Sequence, residues 1–163
     1  STAIISMLRK HDPDALVITD DIAAPGLLSD KACAFKNWER AATGADPASK
    51  AEAAGYLKKY PDFATPAGKT AMRQQVKDEI KENAKKAFLA GCDVVLTMDS
   101  SVAPQIAQAI TELVQSRPDL KLRLDAAALR MMEASIKATP GAQPVPVTPA
   151  APTVVATNGW QPK

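Results

Sequence analysis

Two runs of consecutive apolar residues, ALVIT at positions 15–19 and VVLTM at 94–98, constrain this chain more than any other feature. Each is short for a helix, and neither alternates as a half-exposed strand does. Apolar side chains on successive positions describe a strand covered on both faces, the pattern of parallel sheets flanked by helices. Each run ends in carboxylates, Asp20 and Asp21 after the first and Asp99 after the second. Two such strands do not make a stable sheet. The missing strands come from residues outside the chain, or from a partner, or the domain is a helix bundle and the runs are not strands. Strands from outside the chain are the expectation adopted.

Between the runs, Met72, Val76, Ile80, Ala84 and Phe88 recur at every fourth position of residues 69–89, with Asp78, Glu79, Lys81, Glu82 and Lys85 opposite. That spacing predicts an amphipathic helix, and Gly91 suits the position just past its end. A short helix is expected over residues 4–11. Another is expected over 103–115, with Ile106, Ala109, Ile110, Leu113 and Val114 on one face. A last one is expected over 125–137, with Leu129, Met132 and Ile136 on one face and Asp125 capping its start. Residues 25–68 read as an irregular, partly helical excursion anchored by Trp38, Tyr56, Leu57 and Tyr60. Residues 139–163, rich in Pro, Ala, Val and Thr, read as an extended tail or linker.

The 163 residues suit one domain or a piece of a larger one. The 20 basic residues are dispersed among 18 acidic ones, which argues against a nucleic-acid reader. No apolar stretch approaches the roughly 20 residues of a membrane span, and STAIISMLRK does not read as a signal peptide. Cys33 and Cys92 are too few for a disulfide framework, and their pairing is left open. With a single histidine, His11, there is no zinc spacing.

ALVITDDI, followed by AFLAGCDVVLTMD and then RLDAAALRMM, resembles the last part of the catalytic domain in glycoside hydrolase family 3, in particular its β-N-acetylglucosaminidase branch. Thr19, Asp20, Asp21 and Ile22 match the family's strand end. Ala90, Gly91, Cys92 and Asp93 match its second element, and Arg123, Leu124, Asp125 and Ala127 the opening of its final helix. The resemblance spans residues 1 to about 138 apart from the excursion. It implies an α/β fold, the seventh and eighth units of a (β/α)8 barrel, with the N-terminal remainder of that barrel as partner.

On this likeness Asp20 is the nucleophile of a retaining hydrolase acting on terminal β-linked N-acetylglucosamine of cell-wall fragments, without metal or cofactor. Asp21 and Asp99 are then substrate-binding or supporting groups, and Asp93, at the opposite end of its strand, serves folding. The family's histidine-bearing acid/base loop is missing here, so the chain is expected to be inactive by itself. A secreted or envelope location is expected, with a cytoplasmic one as the alternative. A purely structural reading has the Asp20–Asp21 pair end the strand, and Asp99 cap a helix. The functional alternative is a non-catalytic relative whose excursion and tail make contacts.

Overall fold

The computed structural model describes residues 2–138; the tail expected over 139–163 lies outside them. Six helices follow in order: α1 (Thr2–His11), α2 (Asp30–Thr43), α3 (Pro47–Lys59), α4 (Pro66–Ala90), α5 (Ala103–Ser116) and α6 (Lys121–Ala138). Single 3₁₀ turns precede or join several of them, among them Pro61–Ala64 and Ser100–Val102.

The (β/α)8 expectation is overturned: the described residues form an all-helical fold without a β-strand. Residues 15–19 and 94–98 are extended and lie side by side in parallel, but they share a single bridge, Ile18 with Val94. The Thr19 amide donates to the Val94 carbonyl at 3.0 Å, and the Val94 amide to the Val17 carbonyl at 3.2 Å. One step further the ladder breaks, because the Leu96 amide donates to the Thr19 hydroxyl, at 2.9 Å, and not to a carbonyl. With no third segment alongside among the described residues, nothing there holds the pair in regular pleated geometry.

The aromatic centre of the core comes from the segment expected to be irregular, packed on the buried stripe of α4. Phe35, Phe63 and Ile80 are its largest fully buried side chains. Phe63 meets the Phe35 ring edge-on at 5.1 Å, stacks on Tyr60 at 4.9 Å and touches Trp38 at 5.8 Å. Such pairs add roughly 0.5–1.5 kcal/mol each beyond burial. The helices on either side of the Phe63 turn are well terminated. Asp46 caps α3 by accepting the Ser49 amide at 2.9 Å, and Thr65 caps α4 by accepting the Gly68 amide at 3.0 Å, each just before a proline at the first helical position. A Cβ at Gly68 would sit 2.0 Å from the Asp62 carbonyl oxygen, so the turn that delivers Phe63 requires glycine there.

Helix α4 matches its expected pattern, with Met72, Val76, Ile80, Ala84 and Phe88 all buried, and it ends at Gly91 with φ 121°. Helix α6 departs from expectation. It starts at Lys121, so Asp125 lies inside it and pairs with Lys121 at 2.8 Å rather than capping its start. Leu129, Met132 and Ile136 are all exposed, and only Ala127 is buried. Helix α1 buries none of its residues; Ile5 packs over Gly91, where a Cβ would lie 2.6 Å from its methyl carbon.

Phe63→Ala should cost about 3–5 kcal/mol, since it empties the centre of the aromatic cluster. Urea denaturation should show a lower midpoint at unchanged slope.

Candidate functional site

The carboxylates singled out in the sequence lie at the far ends of the two extended segments, and each has a different local task. Asp21 is committed to backbone: its Oδ1 accepts the Ala23 amide at 3.0 Å and the Met98 amide at 3.2 Å. It thereby closes the turn after the first segment and ties it to the end of the second. Asp99 caps the turn before α5, accepting the Ser101 amide at 3.1 Å and the Ser101 hydroxyl at 2.6 Å. Asp20 is exposed, and its Oδ1 accepts only the neighbouring Asp21 amide, at 2.7 Å. Among the described residues its Oδ2 has no partner and it makes no ion pair.

Asp99 also borders a small cavity of about 200 Å³ shared with Phe35, Lys36, Lys77, Ser101 and Val102. Lys36 reaches the same end of the molecule, donating to the Ala23 carbonyl at 2.8 Å. Neither lysine was expected there: Lys36 comes to this end on α2 and Lys77 on α4. Asp20 lines neither this cavity nor the larger grooves, one along α4 at Ser29, Gln75 and Glu79 and the other between α2 and α3 at Asn37 and Tyr56. Asp20, Asp21 and Asp99 lie at one end of the fold, and of the three only Asp99 borders the small cavity.

The opposite end holds the strongest electrostatic cluster. The Asp93 side chain is 2% exposed and accepts from Arg9, from Arg130 at 2.7 and 3.1 Å, and from the Val17 amide at 2.9 Å. Burial pushes its carboxyl up, but the bonds from Arg130, Val17 and Arg9 outweigh that and hold it below the ordinary range. Arg123 lies nearby with its guanidinium 4.6 Å from the Phe88 ring centroid, donating to the Leu89 carbonyl at 3.0 Å. Its second terminal nitrogen is buried without a partner among the described residues.

Cys33 and Cys92 are free thiols, and burial raises the Cys92 pKa. His11 is exposed at the end of α1. Among the described residues no three metal-ligating side chains converge, and no helix is long and apolar enough to cross a membrane. Comparison with family models, curated proteins and solved structures finds no match.

A carboxylate whose folded pKa is depressed stabilises the fold above its unfolded pKa, about 3.9 for Asp. That contribution is lost as pH falls through the lower folded value. Asp93→Asn should therefore cost about 3–5 kcal/mol near neutrality, the range for breaking a buried pair from one side. Urea midpoints measured from pH 7 to pH 2.5 should fall at the acid end in the parent and change less in the variant.

Proposed function

We propose that this chain supplies the nucleophile of a retaining glycoside hydrolase that releases terminal β-linked N-acetylglucosamine, with Asp20 as that nucleophile. The observation that carries the reading is the division of labour between the adjacent carboxylates. Asp21 spends its Oδ1 on two backbone amides, whereas Asp20 is exposed, held by one bond from the Asp21 amide, and keeps Oδ2 unpartnered among the described residues. The Thr-Asp-Asp-Ile, Ala-Gly-Cys-Asp and Arg-Leu-Asp-Ala-Ala resemblance to glycoside hydrolase family 3 supports the same assignment.

In this reaction Asp20 Oδ2 attacks the anomeric carbon as the bond to the leaving oxygen breaks, and an acid gives that oxygen its proton. A covalent glycosyl ester results. Water, losing a proton to the same acid/base, then attacks the anomeric carbon and frees the carboxylate. The acid/base comes from another polypeptide in this reading. His11 is separated from Asp20 by the first extended segment, about 16 Å at roughly 3.3 Å per residue.

A second reading, a non-catalytic interaction protein, is favoured by the apolar side chains beside Asp20. Ile18, Leu96 and Met98 are all exposed on the extended pair, a surface better suited to protein than to sugar.

Hydrolysis of an aryl β-N-acetylglucosaminide by the protein with its co-purifying partner separates the two. Asp20→Gly should lower turnover on the order of 10⁴-fold. Added azide should restore release of the aryl group and yield the α-glycosyl azide, the product expected when a small anion replaces the missing nucleophile. Unchanged turnover in the variant removes Asp20 from the chemistry.

A further inference from the structure

The first extended segment leaves one edge of its backbone unpaired. The Val17 carbonyl and the Thr19 amide turn toward Val94, so the amides of Leu16, Ile18 and Asp20 turn the other way. None of the three donates to a partner among the described residues. An open edge is ordinarily guarded by lysine, proline or a bulge, and residues 15–19 contain neither residue type. Ile18 is 53% exposed, and Leu96 and Met98 are exposed on the neighbouring segment.

The charges around this edge select its occupant. Residues 10–21 carry Lys10 against the carboxylates of Asp12, Asp14, Asp20 and Asp21. Arg9 is spent on Asp93 and on the Pro13 and Ala15 carbonyls, Arg130 on Asp93, and Arg123 on the Leu89 carbonyl. An acidic segment would therefore meet repulsion and no uncommitted arginine. A second copy paired edge to edge would set the same acids against themselves, and like charges across a strand pair are destabilising.

The chain itself supplies a segment without these faults. In the sequence of residues 139–163 the only charged side chain is Lys163, and prolines recur as far as Pro152. Residues 153–161 then form the one run there of more than three residues without proline, opening with the β-branched stretch Thr153-Val154-Val155-Ala156-Thr157. Composition of that kind suits a strand. Because its two valines are adjacent, a valine falls beside Ile18 in either register.

We propose that residues 153–157 of this same chain dock along the edge of residues 15–20, paired in β fashion with Ile18. The path is short enough. Arg130 of α6 and the Val17 amide hold the same Asp93 carboxylate, at 2.7 and 2.9 Å, so α6 is fastened beside the edge. From Arg130 to its end at Ala138 the helix rises about 12 Å, and residues 139–152 can span up to about 43 Å at about 3.1 Å per residue. Such a tether gives an effective concentration on the order of 1 mM, so modest main-chain pairing suffices to fill the edge. The contact stands or falls on backbone pairing and does not rest on the glycosidase reading of Asp20.

The test compares amide exchange by NMR in the whole 163-residue chain and in its Val154→Pro/Val155→Pro variant. Both substitutions lie outside the helical core, and amides of α4 serve as internal reference. Ile18 should exchange about tenfold more slowly in the parent than in the variant, the ratio for a contact formed nine-tenths of the time. That protection should not change with protein concentration, and a Val154→Ile/Val155→Ile variant should keep it. Equal Ile18 rates in parent and proline variant, whether fast or slow, overturn the proposal. Protection that grows with concentration, together with a dimer mass by light scattering, overturns it in favour of a second copy.

Discussion

The Asp93 carboxylate is the interaction on which the outer half of this fold depends. It receives Arg9 from α1, Arg130 from α6 and the Val17 amide from the first extended segment, elements far apart in the chain. Little else anchors the two helices. Helix α1 buries no residue of its own and α6 buries only Ala127, so apolar burial cannot anchor either. A buried carboxylate is costly unless its lone pairs are filled. Here four donors fill them, so each neighbouring element is needed to satisfy the same acid.

The inner half works by a different principle. Phe35, Trp38, Tyr60 and Phe63 close on one another and on the buried stripe of α4, with Ile22, Val102 and Ile106 completing the cluster. Nothing charged is buried there. This part is helix on helix around one apolar centre, and its stability comes from burial and from caps at Asp46 and Thr65 rather than from ion pairs. The second extended segment joins the two halves: Val95 packs against the aromatic core while Asp93, two residues earlier, holds the arginines.

How much of this could be read in advance depended on whether a periodic stripe reveals what covers it. In α4 the fourfold spacing of Met72 through Phe88 marked a helix, and Gly91 marked its end, because burial of that face and a positive φ leave direct traces in residue type. The same kind of stripe at Leu129, Met132 and Ile136 marked α6 equally well but said nothing of a partner, and those side chains are exposed. Phe63 escaped notice because it sits in a 3₁₀ turn between Pro61 and Pro66, where turn residues outweigh one aromatic. The strand reading of 15–19 and 94–98 is overturned, since the two segments run parallel but share only one bridge among the described residues. It failed on the sheet, since a strand is defined by neighbours that these residues do not name. At the candidate site, Asp21 and Asp99 were legible as caps and closures, which are local, whereas Lys36 and Lys77 arrive through tertiary packing of α2 and α4 and left no local sign.

That contrast bears on why a helical chain keeps two segments that are apolar on both faces. One face of the pair has a use here: Val95 lies against the core, and Ile22 and Ala23, just past Asp20 and Asp21, are buried in it. The other face, with Ile18, Leu96 and Met98, has none within residues 2–138, and an exposed apolar face next to unpaired amides tends to be costly in water and prone to nonspecific pairing. Local sequence and local surroundings therefore disagree at one place, while they agree throughout the aromatic core. Such disagreements in natural chains collect where function or assembly imposes a demand the isolated fold does not. Here the disagreement falls on the residues that hold Asp20, which places the unexplained apolar face and the uncommitted carboxylate on one surface and makes that surface the part of the molecule whose purpose lies outside its own folding.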